Sequence, residues 1–114
     1  MSRKLIGVLA AFAGVAMVLG SAPGKAQNAY ITNSLSSNVS VINTGNNTVT
    51  ATIPVGAGPV GVAITSDGTK VYVANSSDNT VSVINTATSA VTSINVGAGS
   101  GPFGVAVTPD GSKV

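Results

Sequence analysis

The chain has 114 residues, of which five are Lys or Arg and three are acidic, a formal net charge of +2. It holds no Cys, His or Trp, and its three acidic residues are all Asp. Disulfides, the common Cys/His metal centres and a Ser-His-Asp arrangement are therefore excluded within this chain.

Residues 1–26 have the pattern of a secretory signal peptide. Arg3 and Lys4 form a short basic start, Leu5–Gly20 is an apolar run, and Ser21–Ala26 is a stretch of mostly small residues. Gly24-Lys25-Ala26 fits the small-x-small rule, which places cleavage between Ala26 and Gln27. The apolar run is shorter than the roughly 20 residues that span a bilayer, so no stable membrane span is expected after cleavage. No Cys follows it to carry a lipid, and no Arg pair precedes it. Arg3, Lys4 and Lys25 leave with this segment. Two lysines, Lys70 and Lys113, then face Asp67, Asp78 and Asp110, a net side-chain charge of −1. The basic balance is thus a targeting property, and it gives no basis for nucleic-acid binding.

After the leader, short strand patterns alternate with turn residues. Strands are expected at Ala29–Ser34, Asn38–Asn43 and Thr48–Val55, then at Gly61–Thr65, Lys70–Asn75, Thr80–Asn85 and Val91–Val96. A last one is expected at Phe103–Thr108. Gly56-Ala57-Gly58-Pro59 and Gly97–Gly101 connect the groups. Thr65-Ser66-Asp67-Gly68 and Thr108-Pro109-Asp110-Gly111 are turns in which Gly takes the left-handed position. Gly45-Asn46-Asn47 and Ser77-Asp78-Asn79 use the tolerance of Asn and Asp for positive φ.

These strands repeat. Ala29–Thr44 overlays Val71–Thr86 at an offset of 42, sharing Val-Ser-Val-Ile-Asn-Thr, and Gly58–Val71 overlays Gly101–Val114 at an offset of 43. A period of about 40–45 residues with several strands per unit points to β-propeller blades. In Val71-Tyr72-Val73-Ala74 both alternating faces are apolar, which suits a sheet held between two neighbours. Small residues at Ala63, Ala74 and Ser82 allow close approach. The expected architecture is all-β, with an incomplete first blade at 27–58, a complete four-stranded blade at 59–101 and the start of a third at 102–114. The first blade lacks its innermost strand on this reading.

Tyr30-Ile31-Thr32-Asn33 and Tyr72-Val73-Ala74-Asn75, with Asn79–Thr86 and the Pro109–Gly111 turn, resemble the YVTN-type β-propeller repeat family. The resemblance covers essentially all of the chain after the leader. It implies an exported or surface protein, some of whose relatives lie beside or within redox enzymes.

No residue is singled out as catalytic, cofactor-binding or metal-binding. Asp67 and Asp110 sit at equivalent turn positions, where local hydrogen bonding outweighs calcium ligation or general-base catalysis. Tyr30 and Tyr72 repeat as packing residues. Asn38-Val39-Ser40, Asn46-Asn47-Thr48 and Asn75-Ser76-Ser77 match the glycan acceptor pattern, as is expected by chance in so Asn- and Ser-rich a chain. The glycines at 56, 58, 97, 99 and 101 have no following helix to make a phosphate site. The functional expectation is a non-catalytic binding or scaffold module in the periplasm, at the cell surface or secreted. Its partner is an unidentified protein or small molecule, with no cofactor. The alternatives are the front part of a redox or lactonase-like propeller enzyme, whose active residues lie in further blades, and a chain that completes a ring by self-association.

Overall fold

The computed structural model describes the backbone of Val8–Ala10 and Val15–Val18 and all of residues 27–114. Strands β1 (Val8–Ala10), β2 (Val15–Val18), β3 (Asn28–Asn33), β4 (Asn38–Asn43) and β5 (Thr48–Pro54) form one antiparallel sheet in that order. Strands β6 (Pro59–Ile64), β7 (Lys70–Asn75), β8 (Thr80–Asn85) and β9 (Val91–Asn95) form a second. There is no helix among the described residues, so none that is long and apolar enough to cross a membrane. The boundaries of β3 to β9 fall within two residues of those expected from the sequence.

The two sheets meet through their apolar faces. Tyr30, Val39, Val41 and Ile53 of the first sheet pack against Val62, Ile64, Val71, Val73 and Ile84 of the second. Strand alternation fixes this choice of face. Val71 pairs with Ile84 and with Ile64, and Val73 with Val62, so all five residues share one side of their sheet. Each buried Val or Ile side chain contributes about 1.5–3 kcal/mol through removal from water. Thr32 Oγ1 donates to the Val60 carbonyl at 2.9 Å, tying β3 directly to β6.

Turn chemistry sets the hairpins. Gly68 and Gly111 have φ of 74° and 73°, and Asn47 and Asn79 have 58° and 57°, as the turn residues require. Ser37 and Ser89 also take positive φ, at 56° and 63°. Ser37 stands one repeat before Asn79, so these two positions share a conformation with different residues.

The structure departs from the sequence reading in two places. The edge of β3 is paired within the full chain: β2 lies there, with Val15 opposite Ile31, Ala16 opposite Tyr30 and Met17 opposite Ala29, whereas the expectation of a missing strand concerned the chain from Gln27 onward. That strand belongs to residues 1–26, an apolar stretch whose backbone donors and acceptors find partners along the free edge of β3. The second departure is Phe103–Thr108, which forms no strand ladder. Among the described residues no strand lies beside it, and a single extended segment cannot make a ladder. The cleavage position after Ala26, the basic start at Arg3 and Lys4, and the small-residue stretch lie outside the described residues. Gln27 is described, and its carbonyl accepts from the Thr44 amide at 2.8 Å, closing the outer end of the β3–β4 hairpin.

Candidate functional site

The aspartate turns are locks on the backbone. In the β6–β7 turn, Asp67 Oδ1 accepts from Thr65 Oγ1 at 2.8 Å, from the Thr69 amide at 3.0 Å and from Thr69 Oγ1 at 2.8 Å. Asp110 Oδ1 accepts from Thr108 Oγ1, the Ser112 amide and Ser112 Oγ at 2.7, 3.0 and 2.8 Å. The Ser112 amide leads in holding Asp110 down to about 2, helped by the two hydroxyls. The Thr69 amide, followed by the Thr65 and Thr69 hydroxyls, lowers Asp67 in the same way. A carboxylate stabilised like this is a weak general base. No group of three or more metal-ligating side chains occurs among the described residues.

The asparagine that ends each Tyr-containing strand clasps its hairpin. Asn75 Nδ2 donates to Thr80 Oγ1 at 3.0 Å and Ser82 Oγ at 2.8 Å. Asn33 Nδ2 does the same to Asn38 Oδ1 at 2.7 Å and Ser40 Oγ at 2.9 Å. Asn75 is fully buried, and its Oδ1 has no partner. The connection from the first sheet closes over this clasp. A Cβ at Gly56 would stand 2.6 Å from Asp78 Oδ2 and 2.7 Å from Asn75 Nδ2, so any larger residue there must displace these side chains, the buried Asn75 among them. The Ser76 amide donates to the Gly58 carbonyl at 2.9 Å. Both asparagines act on partners five and seven residues ahead, across the hairpin, which a linear motif does not display.

The three glycan acceptor patterns separate by burial. Asn75 is closed to any modifying group. Asn38 is half-buried and accepts from Asn33. Asn46 lies in an exposed turn, its Oδ1 accepting from Thr48 Oγ1 at 2.7 Å. Tyr30 is buried in the inter-sheet core, and loss of water pushes its phenol above the ordinary range. Tyr72 stands one repeat later on the same side of its own sheet and is half-exposed.

That difference extends over a whole face. Tyr30, Val39, Val41 and Ile53 are sealed beneath the second sheet, whereas their counterparts Tyr72, Val81, Val83 and Ile94 are half-buried or exposed. The segment that follows β9 covers only the inner margin of this second face. There the Phe103 carbonyl lies directly against Gly61, where a Cβ would collide with it. Phe103 itself is 65% exposed. Among the described residues, the outer face of the second sheet is therefore an apolar surface left partly open.

No family model matches the chain, and no curated protein does. The fold is similar to a solved structure. Hydrazine synthase from Kuenenia stuttgartiensis superposes with a TM-score of 0.70 at 29% identity over 74% of this chain, which corresponds to 24% of that chain. The chain thus spans about a quarter of the length of the protein it resembles.

One strand, β2, escaped the sequence reading. Gly14-Val15-Ala16-Met17 repeats the pattern of Gly61-Val62-Ala63-Ile64 and Gly104-Val105-Ala106-Val107. The signal was present, but it sits inside an apolar run whose composition reads as an export leader. In the structure the match extends to register. Val15 faces Ile31 as Val62 faces Val73, one repeat on, and Ala16 faces Tyr30 as Ala63 faces Tyr72.

Proposed function

We propose that the chain is part of an exported, non-catalytic β-propeller repeat protein of the YVTN type, a binding or scaffold module in the periplasm, at the cell surface or in the medium. The observation that carries this reading is that the second sheet, whose Val71 face packs on the Tyr30 face of the first, carries an equivalent of that Tyr30 face on its other side, at Tyr72, Val81, Val83 and Ile94. Two apolar faces per repeat suit blades around a ring. The turn aspartates and strand asparagines are occupied with local bonds, which supports a structural role for the polar residues that repeat. The leader pattern at 1–26 supports export, with hydrolysis of the Ala26–Gln27 peptide bond on the way out. Fractionation of the producing cell, with intact-mass analysis of the product, tests this. The expected product begins at Gln27 and is extracytoplasmic; a cytoplasmic chain beginning at residue 1 overturns it.

A second reading is favoured by the likeness to hydrazine synthase: a propeller portion of a redox enzyme or enzyme subunit. Its reacting groups would then lie in further blades. Sequencing the gene past codon 114 separates the two. Further Asn/Ser/Thr/Gly repeats favour the scaffold, whereas His, Glu or Asp projecting from the connecting loops favour the enzyme.

A further inference from the structure

We propose that Asn46 is a glycan-acceptor site on the exported protein, modified at Nδ2 by an oligosaccharide carried on a lipid pyrophosphate. The proposal rests on the export reading above, because an Asn-x-Thr acceptor belongs to a surface loop of a secreted protein.

The sequence pattern alone does not choose among Asn38, Asn46 and Asn75; burial and bonding do. Asn75 is fully buried, and its Nδ2 is spent on Thr80 and Ser82. Asn38 is half-buried with its Oδ1 held by Asn33, and Ser40, the hydroxyl of the same pattern, is held by Asn33 as well. Asn46 stands with Gly45, Asn47 and Thr48 in an exposed turn between β4 and β5. Its Oδ1 accepts from the Thr48 amide at 3.2 Å and from Thr48 Oγ1 at 2.7 Å. Both bonds fall on the oxygen. The carboxamide is thus fixed in orientation, while Nδ2 has no acceptor among the described residues. The acceptor nitrogen and the hydroxyl two residues on, the two groups the pattern requires, share one exposed surface.

The repeat shows that the turn does not need this amide. One repeat on, Asn43, Gly45, Asn46 and Thr48 correspond to Asn85, Ala87, Thr88 and Ala90. Asn43 Oδ1 accepts from the Gly45 amide as Asn85 Oδ1 does from the Ala87 amide. Thr88 Oγ1 accepts from the Ala90 amide at 3.3 Å, as Asn46 Oδ1 does from the Thr48 amide. A hydroxyl closes the turn as a carboxamide does, so Asn46 Nδ2 is surplus to the fold. The same comparison shows room for a glycan. The first sheet is covered on its Tyr30 face and the second on its Val71 face, yet residues 45–48 and 87–90 are exposed in both. A neighbour on either face therefore leaves this end of the hairpin clear.

In the transfer, Nδ2 bonds to the anomeric carbon of the leading sugar and gives up one proton. The bond from that carbon to the pyrophosphate oxygen breaks, and its electron pair leaves with the lipid pyrophosphate.

The test uses the full chain in its producing cell. The exported protein is measured by intact mass, and its tryptic peptide 27–70 is fragmented so that Asn46 is read apart from Asn38. A glycan mass on Asn46 is expected. It should be lost completely in Asn46→Thr, which keeps the turn as Thr88 does, and in Thr48→Ala. It should be retained in Thr48→Ser and in Asn38→Gln. Exported protein beginning at Gln27 with an unmodified Asn46 overturns the proposal and leaves the export reading intact. A cytoplasmic chain that keeps residue 1 overturns both. A glycan that persists in Thr48→Ala, or that sits on Asn38 or Asn75 instead, overturns the assignment to this turn.

Discussion

Asp67 and Asp110 stand one repeat apart and make the same three hydrogen bonds, each through a single carboxylate oxygen to a preceding threonine hydroxyl and to the amide and hydroxyl two residues on. The equivalence persists although the β6–β7 turn closes a strand ladder and the Thr108–Lys113 turn does not. The Thr65 amide donates to the Lys70 carbonyl and the Thr108 amide to the Lys113 carbonyl, both at 3.0 Å. The turn is therefore a local structure that keeps its hydrogen bonds with or without a strand ladder beside it.

The acid response follows from the same bonds. Both carboxyls titrate below their ordinary value when folded, Asp110 at about 2. The stabilisation they supply is therefore fully present above the unfolded value near 4 and is lost as pH falls from there towards 2. Urea midpoints measured between pH 5 and 2 are expected to decline over that interval. The double variant D67N/D110N should show a shallower decline, because an amide oxygen still accepts but does not titrate. An unchanged slope contradicts the assignment.

The two central residues of the β6–β7 turn should respond differently. Gly68→Val forces a β-branched residue to φ near 74°, at a cost of roughly 1–2 kcal/mol. A Cβ there meets no atom within 4 Å, so the cost is purely conformational. Asp67→Ala removes one acceptor; the exposed Thr69 amide and hydroxyl can turn to water, and the buried Thr65 hydroxyl keeps the Lys70 carbonyl at 3.3 Å. The denaturation midpoint is expected to fall further for Gly68→Val, and equal midpoints count against the turn geometry.

Burial separates the two clasps. Asn75→Ala strands the Thr80 and Ser82 hydroxyls at a buried site, at a cost of about 1–3 kcal/mol. Asn33→Ala affects a half-exposed site and should cost less. Thermal unfolding of the two variants decides the order, and the reverse order would mean that the first hairpin is the tighter one.

Much of this fold was legible because the repeat is written twice. Val71 and Val73 against Tyr72 and Ala74 announce two apolar faces; the first packs on the other sheet, and the face that carries Tyr72 stays partly open. Register was equally legible, since Val-Ser-Val-Ile-Asn-Thr recurs at 39–44 and 81–86. What stayed hidden has physical causes. Ser37 takes positive φ without the side chain that usually signals it, because the repeat imposes the conformation of Asn79 on it. β2 lies in a run whose hydrophobicity is continuous, so its alternation is masked. The Asn75 clasp depends on pairing across a hairpin. The difference between the two outer faces depends on what lies on top of each, which local sequence does not encode.

The glycine pair Gly61 and Gly104 occupies one repeat position, yet only the first is crowded. Gly61→Ala pushes a Cβ into the Phe103 carbonyl, a backbone atom that cannot turn aside. Gly104→Ala meets nothing within 4 Å. Hydrogen exchange across residues 101–108 is therefore expected to accelerate in Gly61→Ala and to stay unchanged in Gly104→Ala. Equal protection in both would place this segment elsewhere on the sheet.

The last prediction compares Ile53 with Ile94, the same residue at the same repeat position, 4% and 46% exposed. Truncating Ile53 opens a cavity between the two sheets, and Ile→Ala in a core costs roughly 2–5 kcal/mol. Ile94 has water where Ile53 has the second sheet, so Ile94→Ala removes apolar surface that is already half solvated. Its cost at high dilution should be a small fraction of that for Ile53→Ala. The comparison also reports on what covers the face, because removal of apolar area from water sets the difference. Denaturant unfolding of both variants over a range of protein concentrations provides the measurement. A cost for Ile94→Ala that is small when dilute and rises with concentration marks a face covered by association. A cost equal to that of Ile53→Ala at every concentration contradicts an open outer face.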